Sequence, residues 1–203
     1  MPEWSGGRTS AAASGILSVR SEGVPSMSTE QEVHALQGTQ EAQEIREVLD
    51  TIASGGEYAN AKLAELFDRL EPVGLGVLTG TWQGGGFERT SENAVLLAKM
   101  RWYGKRFTDA DHVEPLLCRD ESGAVYSYEE MGLATLHEVV YRGKQSTAMV
   151  YDQLPIIDHF RRLTDDVLLG VMAKKGAPTD FYFHLTRVSA ASTTPSRPAG
   201  DGG

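Results

Sequence analysis

Apolar residues fall at helical spacing in two stretches near the start of the chain, and then the period changes. Ile45, Val48, Leu49 and Ile52 share one stripe, which predicts an amphipathic helix over 40–53, ended by Ser54-Gly55-Gly56. Leu63, Leu66, Phe67 and Leu70 repeat the stripe over 57–70, where Pro72 blocks continuation. Thr29 and Glu32 have the spacing of a capping box ahead of Val33 and Leu36. From Gly76 onward, short β-rich runs separated by turn residues predict strands near 77–88, 94–103, 113–118, 124–128, 131–141, 144–152, 156–163, 167–173 and 180–188. The turns are chemically specific: Asp120-Glu121-Ser122-Gly123, Arg142-Gly143, Thr164-Asp165-Asp166 and Lys174-Lys175-Gly176. About nine sequential strands of this spacing point to an antiparallel meander that closes on itself, since closure removes exposed edges. In the second run, Leu96, Ala98, Met100 and Trp102 read as one strand face and Leu97, Lys99, Arg101 and Tyr103 as the other.

The predicted fold is therefore mostly β with an α+β character: a closed antiparallel barrel with two or three N-terminal helices. One domain is expected over 29–188, flanked by disordered segments at 1–28 and 189–203, which are rich in Ser, Ala, Gly, Pro and Thr. Met27-Ser28-Thr29-Glu30 reads as an alternative natural start to Met1. The 203 residues carry a formal net charge of -9, which speaks against nucleic acid and against an anionic membrane surface. A single cysteine, Cys118, excludes an internal disulfide framework and fits a reducing, cytoplasmic setting. No apolar run is long enough to span a membrane, and a homodimer is compatible with the composition.

Several apparent motifs dissolve on inspection. Gly74, Gly76 and Gly80 miss the dinucleotide spacing and precede a strand, and Gly84-Gly85-Gly86 lacks the Lys of a phosphate loop. His137-Glu138 begins like a zinc-protease helix, but Tyr141 stands where the second His belongs. Cys118 reads as a small buried hydrophobe, and Asp109-Ala110-Asp111-His112 as a turn-forming loop, so no metal site is expected.

Two segments carry more. Gly80-Thr81-Trp82-Gln83-Gly84 sets an indole among glycines, suited to sealing the closed end of a barrel. Tyr151 to Arg161 gathers Asp152, Asp158, His159 and Arg161 around Pro155, which interrupts pairing near a barrel rim. Asp158 and His159 point to opposite strand faces, so they are not a catalytic pair. Asp158 is expected to be a structural ion pair with Arg161 or Arg106, and His159 to be the functional member. Faces rich in Tyr and His, carrying Tyr103, His137, Tyr151, His159, Tyr182 and His184, suit a ligand cavity with a few orienting polar groups. Solvated exteriors are the plainer reading of any one of them.

Gly80, Trp82 and Gly84 lie in a motif that resembles the one naming the GXWXG family. Trp102-Tyr103-Gly104-Lys105-Arg106-Phe107 resembles that family's linking stretch. Met149 to Asp152, Pro155 to Phe160 and Gly170-Val171-Met172 resemble its second region, a conserved domain of unassigned function. The likeness covers about 40–188, with the motif-bearing part near 40–105 and the second near 106–188. It implies a barrel similar to lipocalin-like and nitrobindin-like proteins, which bind lipids, pigments or haem.

Three functions are expected to compete. The first is binding of a small hydrophobic or amphipathic molecule in the barrel, with no cofactor. The second is a cofactor-independent cyclase, isomerase or dehydratase using Asp152, Asp158, His159, Lys105 or Tyr103. The third is haem held by His159 or His184, which rests on fold analogy alone.

Overall fold

The computed structural model describes the backbone of residues 29–189 and the side chains of residues 38–189. The expectations for 1–28, for most of the C-terminal tail and for the Thr29–Glu32 cap fall on residues or side chains outside that description. The chain divides into two units, Met1–Gly38 and Thr39–Gly203. All that follows lies in the second, apart from the first turns of the first helix.

Helix α1 spans Thr29–Ser54 and α2 spans Asn60–Arg69. Helix α1 starts earlier than its apolar stripe because the Gln-, Glu- and Ala-rich stretch before Ile45 is made of good helix formers. Leu63, Leu66 and Phe67 of α2 are fully buried, each contributing about 1.5–3 kcal/mol of apolar burial.

Strand β1 is the short Glu71–Pro72, followed by a 3-10 turn at Leu75–Val77 and β2 at Gly80–Gly86. Next comes a helix where a strand was expected: α3 covers Glu92–Lys99, and β3 begins only at Trp102 and ends at Phe107. The run Ala94-Val-Leu-Leu-Ala98 satisfies both periods, so local chemistry decides. Ser91 caps the helix by accepting from the Ala94 N–H at 3.2 Å, Glu92 sits in the first turn and Lys99 in the last. The predicted two-faced strand over 94–103 is thus replaced by a capped helix, a left-handed turn at Arg101 and a later strand.

Strands β4 (Val113–Arg119), β5 (Val125–Ser127), β6 (Ala134–Tyr141), β7 (Lys144–Tyr151), β8 (Ile156–Arg162), β9 (Val167–Lys174) and β10 (Phe181–Arg187) complete the sheet. Strands β2, β3, β4, β6, β7, β8, β9 and β10 form a ring of antiparallel neighbours, closed where β10 pairs with β2 from Phe183↔Gly86 to Arg187↔Trp82. The result is a closed eight-stranded barrel with three helices, the third of them inserted between β2 and β3. One seam is thin: β4 meets β6 only at Val113↔Ala134, and β5 covers the rest of that edge.

Two apolar layers result. Trp82, Phe107, Phe160, Leu168, Phe183 and Leu185 fill the barrel interior. Val48, Leu63, Phe67, Leu169, Val171 and Tyr182 form a second layer on the outer face, beneath α1 and α2. Trp82 is fully buried, its indole N–H donates to the Thr79 carbonyl at 3.0 Å, and the Arg187 guanidinium lies 4.2 Å from the ring centroid. No described helix is long and apolar enough to cross a membrane.

Candidate functional site

The barrel is not filled throughout. A cavity of about 110 Å³ opens toward α3, walled by Leu96, Leu97, Met100, Leu116, Leu154, Ile156, Met172, Phe181 and Phe183. Its polar lining is sparse: Lys105, Tyr151 and Asp158, with Asn93 and Lys174 on other elements, α3 and the end of β9. An apolar cavity of roughly 150 Å³ holds benzene, so this one suits a single small ring or a short chain. Three thioethers, Met100, Met131 and Met172, line the wall and let it adapt.

Strand pleat and one irregularity place the polar groups. Along β8, Ile156, Asp158 and Phe160 point inward, while His159 and Arg161 point outward beneath the helices. On β3, Trp102 and Lys105 lie three residues apart, a spacing that a regular strand sends to opposite faces. A bulge at Gly104 corrects the parity, because the β3–β4 register shifts on both sides of that residue. Only glycine fits there, since an added Cβ would stand 1.9 Å from the Trp82 carbonyl oxygen.

Lys105 is 3% exposed and Asp158 1%. The ammonium sits 2.8 Å from Asp158 Oδ2 and donates to the Pro115 carbonyl at 3.3 Å and to the Tyr151 hydroxyl at 3.4 Å. It also faces the Phe183, Trp102 and Tyr151 rings at 5.1, 5.5 and 5.6 Å. An ammonium has three hydrogens, and all three are taken. Asp158 Oδ1, by contrast, is buried and bonds to no protein group. Burial pushes the Asp158 carboxyl above its usual range, opposed by the charge of Lys105 and by the Tyr151 hydroxyl beside it. The Tyr151 hydroxyl is itself held well above its usual pKa by burial and by the Asp158 charge.

Of the candidate residues, the structure brings Lys105, Tyr151 and Asp158 together. Asp152 is exposed in the β7–β8 turn. Tyr103 lies under the Arg119 guanidinium at 4.5 Å, and His137 is exposed and bonded to Thr135. His159 stacks on Tyr141 with ring centroids 3.6 Å apart, and desolvation lowers its pKa to about 4. Tyr182 accepts from Arg142 at 3.0 Å, and His184 meets the edge of Phe87, its pKa also lowered to about 4 by burial. None of these five outward-facing residues lines the cavity. The partner of Asp158 is Lys105, not Arg161 or Arg106: Arg161 donates to the Phe160 and Tyr141 carbonyls, and Arg106 pairs with Glu114.

Trp102 and the α3 residues escaped sequence reasoning as lining. The signal was the Gly between Trp102 and Lys105, which marks a bulge. A haem does not suit the site: the cavity wall carries no imidazole, and about 110 Å³ is far below the size of a porphyrin. Among the described residues, no cluster of metal-ligating side chains occurs.

The comparisons with known proteins match this architecture. Residues 65–123 match the model of the GXWXG protein family, with its motif on β2. Residues 132–187 match a second model, Domain of unknown function (DUF4334), which spans β6 to β10. The chain belongs to the GXWXG family. A crystal structure of a protein from Thermomonospora curvata is similar to it at 53% identity and a TM-score of 0.70, covering 72% of this chain and 99% of that one. No curated protein matches. In GXWXG terms, the motif's Gly80 takes a left-handed turn, Trp82 plugs the filled part of the barrel, and Gly84 leaves room for the Trp102 ring. The cavity draws on both matched regions, Trp102 and Lys105 from the first, Tyr151 and Asp158 from the second.

Proposed function

We propose that this GXWXG protein binds a small, predominantly apolar molecule inside the barrel, with the molecule's polar group seated at Lys105, Tyr151 and Asp158. One observation carries the reading: a buried ion pair stands at the wall of an otherwise apolar cavity. Apolar side chains of equal volume serve stability as well as a buried pair does, so the pair is better explained by what it meets. Native mass spectrometry of freshly purified full-length protein, together with an NMR titration of toluene, a single small ring, tests it. A co-purified small molecule or saturable probe binding is expected, and Leu116→Phe, which fills the cavity, should abolish both. Neither signal in the wild type would sink the proposal.

A second reading, a cavity enzyme without a cofactor, is favoured by Asp158 alone. Its carboxyl has a raised proton affinity and one oxygen free to take a proton from a bound molecule. Asp158→Asn would then abolish turnover while leaving the dissociation constant of the substrate within about threefold.

A further inference from the structure

Two residues of the cavity wall each carry a buried polar atom that no protein group satisfies, the Trp102 indole N–H and Asp158 Oδ1. Both residues line the cavity, and both approach the same ammonium: Lys105 Nζ is 2.8 Å from Asp158 Oδ2 and 5.5 Å from the Trp102 ring centroid. One atom is a donor only and the other an acceptor. Lys105 and Asp158 cancel each other's charge, and the wall's one other ion, Lys174, stands at the end of β9. Buried polar atoms left without partners are costly, so their complement describes the ligand.

We infer that the cavity is built for a small apolar alcohol: a neutral molecule whose hydroxyl accepts from the Trp102 N–H and donates to Asp158 Oδ1. This inference rests on the cavity-binding reading above and narrows it to one polar group. A carboxylate would place a second anion against Asp158. An ammonium would add a second cation beside Lys105, whose own hydrogens are all engaged. A ketone satisfies the indole and leaves the carboxylate oxygen unmet, and a hydrocarbon leaves both atoms unmet. A site built to hydrogen-bond a hydroxyl rejects the analogue lacking it more strongly than an apolar wall rejects a misfit methylene.

The test uses the full chain and a series with one ring and five substituents: cyclohexanol, cyclohexanone, methylcyclohexane, cyclohexanecarboxylate and cyclohexylammonium. Titration calorimetry gives affinities, and ¹⁵N-resolved NMR follows the Trp102 indole N–H, assigned by its loss in Trp102→Phe. Cyclohexanol is expected to bind at least tenfold tighter than methylcyclohexane and both ions, with cyclohexanone between. The indole signal should move downfield with cyclohexanol and stay put with methylcyclohexane. Equal affinity for cyclohexanol and methylcyclohexane, or a stationary indole signal, overturns the hydroxyl assignment and leaves the cavity reading standing. Tightest binding by either ion overturns it in favour of a charged head group. If no member binds, the inference falls, and the cavity reading is then judged separately by the mass-spectrometric and toluene results.

Discussion

A lysine 3% exposed and an aspartate 1% exposed depend on each other for their charge. Removing one partner leaves an uncompensated buried ion, so Lys105→Met and Asp158→Asn should each cost about 3–5 kcal/mol, read from urea midpoints. The double variant Lys105→Met/Asp158→Leu should recover most of that loss, and failure to recover would show that the pair is required by the fold itself. The outward-facing imidazoles make a separate prediction. His159 and His184 are held at about 4, so they stay neutral in the native state while the unfolded chain takes up protons below about 6.5. Unfolding therefore binds protons, and stability should fall as pH drops from 6.5 toward 4, by at most about 1.4 kcal/mol per pH unit for each imidazole. His159→Phe preserves the stack on Tyr141 and should flatten that slope between pH 6.5 and 4. Sequence reasoning could separate Asp158 from His159 by strand parity, yet it could not tell which of the two faced inward. That depends on α1 and α2 covering the outer side of β8, where an imidazole stacks as comfortably as it would around a ligand.

At the level of elements, the strands after Val113 were legible because turn residues bracket each alternating run. The stretch from Glu92 to Phe107 was not. Its apolar residues fit either period, and the deciding features are a side-chain cap at Ser91 and a glycine bulge at Gly104. Both can be tested. Ser91→Ala should loosen α3 by about 1 kcal/mol, seen as faster amide hydrogen exchange confined to residues 92–99. Gly104→Ala drives a Cβ into the Trp82 carbonyl oxygen and should leave little folded protein, or a barrel in which Trp102 and Lys105 no longer share a face. Because α3 supplies Asn93, Leu96 and Leu97 to the cavity wall, a looser α3 should also speed ligand release.

For the molecule as a whole, Trp82→Ala should remove about 3–5 kcal/mol, measured as a drop in the urea midpoint, because the fully buried ring joins β2 to Arg187 on β10. Barrel closure and a ligand cavity could be anticipated from the strands and their faces, whereas the size and lining of that cavity could not, since they depend on how far the interior side chains fill the space they enclose. Closure also has a temporal side. The strand that completes the ring, β10, is the last described strand, and it returns to β2, the earliest strand of the ring: Arg187 donates to the Val77 carbonyl, just before β2, across 110 residues of sequence. Contacts between such distant residues form only after the intervening chain has been ordered, and proteins dominated by them fold in milliseconds to seconds. Trp82 is fixed by that final pairing, so its fluorescence should report the slowest refolding phase, after the β6–β7 and β8–β9 hairpins have formed. Until then, β2 and β10 are open edges, and a chain held at that stage by crowding or heat has its neighbours as the nearest available strands.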